Sequence, residues 1–293
     1  MRRTIRDLQE FKERGEKFAM ITAYDYPSAR LVDEAGIPVI LVGDTLGMVV
    51  LGYDSTIPVT MEDIIHHARA VVRGAPNAVV VADMPFMSYQ VSPDEALRNA
   101  GRLIQETGAT AVKLEGGSSM APTVARIVQA GIPVMGHVGL TPQSVNQLGG
   151  YKLQGTTPRA AVQILTDAAA LQEAGAFAVV LETIPARLGK LVSKRLTIPT
   201  IGIGAGRGCD GQVQVFHDML GLFDAFKPRH ARRYAELGAQ IREATARYIE
   251  DVRFGEFPGE AESFRVDAAK IREAESMIEA GMTPSQAAHE MPK

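Results

Sequence analysis

Short apolar runs that stop at a carboxylate are the feature of this sequence that most restricts its fold. The runs cover residues 38–42, 78–82, 111–114 and 176–181, and the acids that follow them are Asp44, Asp83, Glu115 and Glu182. Buried parallel strands read as near-continuous aliphatic runs, and the ligands of such a sheet bind beyond the carboxyl ends of its strands. These acids, although far apart in the sequence, are therefore expected to meet in one site.

The alternation of apolar runs with helical patterns predicts a series of parallel strands. We place these strands at residues 18–24, 38–44, 78–83, 111–115, 134–139, 176–182, 200–203 and 213–216. Short turns enter each strand and longer loops leave it, which predicts a (β/α)8 barrel of the TIM type in the α/β class. A doubly wound open sheet is the alternative, because periodicity alone does not distinguish the two.

The connection between the last two predicted strands is the weak point of this barrel. Only the loop 204–211 separates them, which is too short for an ordinary crossover of about a dozen residues. Either a small helical turn lies there or the predicted strand boundaries are displaced.

Size and composition fit an enzyme with one large core. The chain has 293 residues, a length at which two domains are common. A single barrel of about 250 residues is a frequent exception. The net charge of −3 gives no electrostatic reason to expect a nucleic-acid or membrane partner, so we expect small-molecule substrates. The lone Cys209 excludes an intrachain disulfide, and no apolar stretch reaches the roughly 18 residues of a membrane span. With no signal-peptide core at the start, these features predict a cytoplasmic protein.

Three of the strand-end acids suit a hard metal ion. Asp44, Asp83 and Glu115 offer only oxygen ligands, which Mg2+ prefers, and they leave positions open for a chelating 2-oxo acid. Any one of them alone is better explained as a helix cap or a solvated loop residue. Their recurrence beside apolar neighbours favours a bound cation for the set.

Each of the other polar residues at the strand ends has both a structural and a functional interpretation. Lys113 shares a strand face with Glu115, so it either pairs with an acid or binds the substrate. Glu182 follows an apolar run, and we expect burial to raise its pKa toward neutrality, as a carbon-acid base requires, although a buried acid can also simply be paired. His137 can hydrogen-bond the substrate in its neutral form, but an isolated histidine is more often structural.

Several motifs in order along the chain resemble a known family. They are TAYDY (22–26), LVGD (41–44), DST (54–56), ADMPFM (82–87), VKLEGG (112–117), GHVGLTPQS (136–144), GGYK (149–152) and IGIGAG (201–206). Together they resemble ketopantoate hydroxymethyltransferase over about the first 264 residues. The resemblance implies a magnesium-dependent barrel of the phosphoenolpyruvate/pyruvate-like kind, homo-oligomeric and commonly decameric.

The same resemblance implies a reaction. It is the transfer of a hydroxymethyl group from 5,10-methylenetetrahydrofolate to 3-methyl-2-oxobutanoate, which gives 2-dehydropantoate in pantothenate biosynthesis. Two alternatives stay open: a Mg2+-dependent carbon-carbon lyase or mutase that acts on a 2-oxo acid, and a non-catalytic barrel that binds oxo acids.

The resemblance also implies roles for residues. Glu182 is expected to be the catalytic base. The family often has Ser where this chain has Thr45, whose methyl group stiffens the rotamer while the hydroxyl is kept. The expected substrate-binding residues are Asp44, Thr45, Asp83, Lys113 and His137, and the expected Mg2+ ligands are Asp44, Asp83 and Glu115.

The end of the chain extends beyond the usual family length. We predict a catalytic domain over residues 1–264 and a helical extension over 265–293, with a helix at about 268–280 that stops at Gly281. An apolar stripe of Ile271, Met277 and Ile278 on that helix is expected to dock onto the barrel.

Overall fold

The computed structural model describes residues 3–223 and 228–286. The chain divides into two compact units, residues 1–238 and 239–293. The first unit contains the strands and all the residues predicted to form the site. Each unit is described by itself below.

The strands of the first unit form a closed parallel barrel in the order β1 to β8. Their bounds are β1 Phe18–Thr22, β2 Val39–Val42, β3 Val79–Asp83, β4 Ala111–Lys113, β5 Val134–Gly139, β6 Ala178–Glu182, β7 Thr200–Ile203 and β8 Gly211–Gln214. The ring closes because β8 pairs in parallel with β1, with Met20 opposite Val213. The predicted barrel is confirmed, and the open-sheet alternative is wrong.

One helix precedes β1, and the other helices of the first unit lie in the connections that follow the strands. Those of the first unit are α1 Ile5–Glu13, α2 Tyr26–Glu34, α3 Leu46–Val49, α4 Met61–Gly74, α5 Pro93–Thr107, α6 Ala121–Gln129, α7 Val145–Leu148, α8 Pro158–Glu173, α9 Ala186–Arg195 and α10 Phe216–Met219. Helix α4 begins at a capping box in which Thr60 and Asp63 bond to each other's backbone. Helix α5 ends at Gly108, whose φ of 77° suits a residue without Cβ.

The last strand lies two residues earlier than predicted, at Gly211–Gln214. Between β7 and β8 the chain makes a turn without a helix, and because β8 begins earlier than predicted, the connection over residues 204–210 is even shorter than expected. The turn fits because Gly206 has a φ of 79° and a Cβ there would lie 2.4 Å from the Cβ of Ala186. The sequence GQVQ of this strand carries too little apolar character to mark it.

Alternation along the strands decides which side chains point into the barrel. Val79 and Val81 of β3 belong to the inner cluster, whereas Val80 packs with the outer layer of helices. Leu8 of α1 joins the inner cluster and is fully buried, so α1 closes the end of the barrel at which the strands begin. No helix was predicted at α1. The opposite end, where the strands finish, is left for polar side chains.

The second unit holds α11 Leu237–Phe254, which begins two residues before the division, and α12 Ala268–Glu279. The predicted extension helix is thus present, whereas α11 was not foreseen. Neither helix has a buried residue, and Ile271 and Ile278 of the predicted stripe are exposed. The predicted domain boundary after residue 264 stays a prediction. Among the described residues, every helix is too short or too polar to span a membrane.

Candidate active site

Every second residue of a strand points into the barrel, and this alternation places polar side chains at the carboxyl end of the interior. Asp83 is two residues beyond the inward Val81, and Lys113 is two beyond the inward Ala111. His137 follows Met135 and Glu182 follows Val180 in the same way. The pairing of β3 with β4 sets Asp83 directly beside Lys113. The inner face of the barrel therefore ends in a layer of charged groups.

Lys113 and Asp83 form a buried ion pair at the centre of this layer. The Lys113 Nζ lies 2.7 Å from Oδ1 and 2.9 Å from Oδ2 of Asp83, and 4.0 Å from Oε1 of Glu115. Burial lowers the pKa of Lys113, but the carboxylates of Asp83, Glu115 and Asp44 outweigh it and raise that pKa above its ordinary value. Lys113 is therefore charged, and the paired reading of this residue holds in the structure.

Gln143 joins two of the predicted metal ligands, and sequence reasoning assigned it no role. Its Nε2 donates to Asp44 Oδ2 at 2.9 Å, and its backbone N–H donates to Glu115 Oε2 at 3.0 Å. The same Nε2 donates to the backbone oxygen of Met84 at 3.0 Å. Gln143 is 4% exposed. Gln143 thus fixes two carboxylates that lie just beyond two separate strands, Asp44 through its side-chain amide and Glu115 through its backbone N–H.

Tyr89 extends this network and was also missed. Its hydroxyl donates to Oε1 of Gln143 at 2.6 Å and accepts from the backbone N–H of Glu115 at 3.2 Å. Tyr89 is 1% exposed. The only available sequence signal was that Gln143 lies within the family motif at residues 136–144. The hydrogen bond from Tyr89 holds the side-chain oxygen of Gln143, so that the side-chain nitrogen of Gln143 faces Asp44.

His137 lies between two carboxylates. Its Nδ1 is 3.4 Å from Oε1 of Glu115 and its Nε2 is 3.3 Å from Oε2 of Glu182. These separations are longer than good hydrogen bonds, so the contacts are ion pairs. Burial and the ammonium of Lys113 lower the pKa of His137, but Glu115 and Glu182 outweigh them and raise it to about 9. The two carboxylates therefore favour the protonated ring over the neutral donor considered from sequence.

Acidic side chains crowd this layer. The carboxylates of Asp44, Asp83, Glu115 and Glu182 lie close to two buried basic side chains, Lys113 and His137. Burial, followed by repulsion from Asp83 and Glu115, raises the pKa of Asp44 well above its ordinary value. A cation among these acids would relieve this repulsion, and their oxygen donors suit a hard divalent ion.

The side chains are not, however, gathered around a metal position in this structure. Within residues 3–223 and 228–286, no three His, Cys, Asp or Glu side chains are grouped as a metal site. Asp83 instead pairs with Lys113, and Asp44 is held by Gln143. The assignment of Asp44, Asp83 and Glu115 as ligands thus stays a prediction.

A cavity of about 520 Å³ opens above the charged layer. Glu182 and Thr45 are both part of its wall, and the remaining wall is mostly apolar. Thr45 precedes helix α3 and makes no side-chain hydrogen bond to cap it. The hydroxyl of Thr45 and the carboxylate of Glu182 can therefore both meet a ligand in this space.

Comparison with known proteins identifies the family of this barrel. A sequence model of ketopantoate hydroxymethyltransferase matches residues 2–260. The chain belongs to this family. The 3-methyl-2-oxobutanoate hydroxymethyltransferase of Chloroflexus aurantiacus is 61% identical over 274 residues, which cover 94% of this chain and 97% of the relative. The protein of that name from Dehalococcoides mccartyi is 59% identical over 278 residues, with 95% and 99% covered. The family resemblance of the motifs is confirmed.

More distant solved structures share the fold. Phosphonopyruvate hydrolase in complex with oxalate and Mg2+ has a TM-score of 0.58 and 13% identity, with 95% of this chain and 98% of that chain covered. A 2,3-dimethylmalate lyase, a member of the phosphoenolpyruvate mutase/isocitrate lyase superfamily, has a TM-score of 0.54 and 17% identity, with 98% and 99% covered. These structures support the (β/α)8 barrel, and at this identity the likeness concerns the fold alone.

Proposed function

We propose that this protein transfers a hydroxymethyl group from 5,10-methylenetetrahydrofolate to 3-methyl-2-oxobutanoate, giving 2-dehydropantoate and tetrahydrofolate. The observation that carries the proposal is the position of Glu182. This carboxylate lines a mostly apolar cavity and is held by His137 beside the buried acids. A base at the edge of an apolar space is what proton removal from a branched carbon requires. Membership of the ketopantoate hydroxymethyltransferase family supports the same reaction.

Mg2+ is the cofactor that the acid cluster fits. Asp44, Asp83 and Glu115 would hold it, since they supply only oxygen donors and a bound cation would offset the repulsion among them. When bound, the ion would polarise the 2-oxo group and make the proton on the neighbouring carbon more acidic. Gln143 would keep Asp44 and Glu115 at a fixed separation.

The other residues would position the oxo acid. Lys113 is a permanent cation beside the acids, and it would attract the substrate carboxylate or oxo oxygen. Thr45 would donate its hydroxyl to the substrate from the cavity wall. His137 would hold Glu182 through their ion pair. The apolar wall would contact the two methyl groups and exclude water.

Glu182 would then move the proton. Its carboxylate would remove the hydrogen from the branched carbon, and the resulting enolate would attack the methylene carbon of the folate in its iminium form. The new carbon-carbon bond forms as the π bond of the iminium breaks and its electron pair moves onto the folate nitrogen. Water would then replace the folate nitrogen at the methylene carbon, which leaves a hydroxymethyl group, and the nitrogen would leave with a proton as tetrahydrofolate.

Two further properties belong to this proposal. Cys209 is a buried free thiol, which supports a reducing cytoplasmic location. A homo-oligomer, commonly a decamer in the family, stays a prediction for this chain.

Hydrogen exchange tests the proposal before folate is considered. The protein, Mg2+ and 3-methyl-2-oxobutanoate are incubated in heavy water, and loss of the branched-carbon proton is followed by NMR. We expect metal-dependent exchange well above the solvent rate. Glu182→Gln should lower the exchange rate by about 100-fold or more, the usual size of a general-base contribution. Glu173→Gln, at the exposed end of α8, is the matched control and should exchange as the unmodified protein does.

Two outcomes would count against this assignment. Absence of exchange by the folded protein with Mg2+ would remove the proposed chemistry. Unchanged exchange in Glu182→Gln would leave the chemistry in place but move the base to another residue.

A further inference from the structure

The cavity is larger than the oxo acid requires. Its volume of about 520 Å³ lies within the range of pockets that hold drug-sized ligands, whereas 3-methyl-2-oxobutanoate has only five carbons. Away from Glu182 and Thr45, the wall includes Met48, Leu140, Leu153, Ile203, Val215 and Phe223. Such an apolar wall suits a flat ring system. A second and larger ligand would therefore contact this part of the cavity.

Asp218 is an acid in this wall that the proton-transfer chemistry does not use. It lies in α10, is 8% exposed, and faces the cavity. Within the described residues, its carboxylate makes no hydrogen bond and no ion pair within 4.0 Å. Burial raises the pKa of Asp218 to about 6, with Arg233 opposing the shift. Because a buried carboxylate without donors is costly, a ligand or water must supply them.

Thr56 provides a second, independent observation. Thr56 is 1% exposed and also lines the cavity. Its Oγ1 is buried and has no hydrogen-bond partner among the described residues. Buried hydroxyl groups in folded proteins are nearly always hydrogen-bonded. A bound ligand could supply the hydrogen bond that the Thr56 hydroxyl lacks. Asp218 and Thr56 thus line the same cavity, and the described residues leave the carboxylate of one and the hydroxyl of the other without a hydrogen-bond partner.

These two groups match the pyrimidine edge of a reduced pterin. That edge carries a 2-amino group and a neighbouring ring N–H, which point in parallel and suit the two oxygens of one carboxylate. It also carries a 4-oxo group, which accepts a hydrogen bond from a hydroxyl. The anionic oxo acid offers no comparable donors to Asp218. We propose that Asp218 binds the 2-amino and N–H groups of the tetrahydrofolate pterin, and that Thr56 contributes its hydroxyl to the same ring. This inference rests on the proposed function.

Binding of tetrahydrofolate tests the inference directly. The probes are tetrahydrofolate and its 2-desamino analogue, and calorimetry measures the Kd of each with the full chain. The unmodified protein should bind the analogue about 10- to 100-fold more weakly, the usual size for a lost hydrogen bond to a charged group. Asp218→Asn should weaken tetrahydrofolate binding by a similar factor and should no longer distinguish the two probes. Thr56→Val should weaken both probes equally, by about fivefold.

Matched controls separate this inference from the proposed reaction. Asp94→Asn, at the exposed start of α5, should keep the Kd of the unmodified protein. The Kd of Asp218→Asn for 3-methyl-2-oxobutanoate should stay within twofold, which shows that the site is folded. Equal binding of the two probes by the unmodified protein would overturn the inference, as would full tetrahydrofolate affinity in Asp218→Asn. Absence of any hydrogen exchange by the unmodified protein would instead overturn the proposed function, and this inference with it.

Discussion

Lys113 and Asp83 form an ion pair whose two side chains are only 4% and 2% exposed, with Nζ 2.7 Å from Oδ1. Two buried charges that lose water are stable together only if their geometry is good and their other hydrogen-bonding positions are used. Here the second oxygen of Asp83 also contacts Nζ at 2.9 Å and accepts from the backbone N–H of Asp44 at 3.3 Å. The pair therefore connects the stability of the barrel to the organisation of its acids.

The first prediction concerns removal of this cation. Lys113→Met should lower the free energy of unfolding by about 3 kcal/mol or more, because it leaves the Asp83 carboxylate buried and unpaired. Urea unfolding measures this change. Lys194→Met, at the exposed end of α9, is the control and should change the unfolding free energy by less than about 0.5 kcal/mol.

Mg2+ should partly restore the Lys113→Met protein. Without the ammonium, the acids repel one another more strongly, so a divalent cation should raise the melting temperature of this variant more than that of the unmodified protein. A melting temperature that does not respond to Mg2+ would argue against a cation site among Asp44, Asp83 and Glu115.

The second prediction concerns the amide that joins two acids. Gln143→Leu removes the donor to Asp44 and leaves the hydroxyl of Tyr89 without its acceptor. Mg2+ affinity, measured by titration calorimetry, should fall by about 10-fold or more, as is usual when a group that orients a ligand is lost. Tyr89→Phe keeps the Gln143 bond to Asp44 and should have a smaller effect. Unchanged Mg2+ affinity in Gln143→Leu would show that Asp44 needs no such support.

The barrel was predictable because its signals are local. An aliphatic run followed by an acid marks a buried strand and its end, and the alternation from Val79 to Asp83 fixes which way the acid points. The strand Gly211–Gln214 was misplaced because its outward positions carry no aliphatic side chain to continue the run. Its position depends on pairing with β1 and β7, which only the closed ring supplies.

The residues that orient the acids were less predictable, because they act through contacts between positions far apart in the sequence. Gln143 reaches Asp44 across 99 positions of sequence and Tyr89 across 54. Neither residue follows an apolar run, so the pattern of an aliphatic strand that ends at a polar residue does not identify them. The protonation state of His137 was likewise hidden, since it depends on Glu115 and Glu182 lying on either side of the ring.

The third prediction concerns Thr45, a position at which the family resemblance led us to expect Ser. Thr45→Ser keeps the hydroxyl in the cavity wall and should leave the KM for 3-methyl-2-oxobutanoate within about threefold. Thr45→Val keeps the shape but removes the hydroxyl, and should raise that KM by about 10-fold, the size expected for one lost hydrogen bond. Steady-state kinetics with both variants gives the comparison. Equal KM values for Ser and Val would mean that the hydroxyl does not contact the substrate.

The last prediction concerns the end of the chain. From sequence, the stripe of Ile271, Met277 and Ile278 was expected to dock onto the barrel. In the structure Ile271 is 49% exposed and Ile278 is 74% exposed, and α12 contains no buried residue. Because little apolar area leaves the solvent at this helix, a chain that ends at Phe264 should keep the melting temperature within about 2 °C. It should also keep hydrogen exchange of the oxo acid, since every strand-end acid precedes the cut. Calorimetry and NMR on the shortened protein test both statements, and a large drop in melting temperature with intact secondary structure would show that α12 buries its apolar side chains against another surface in solution.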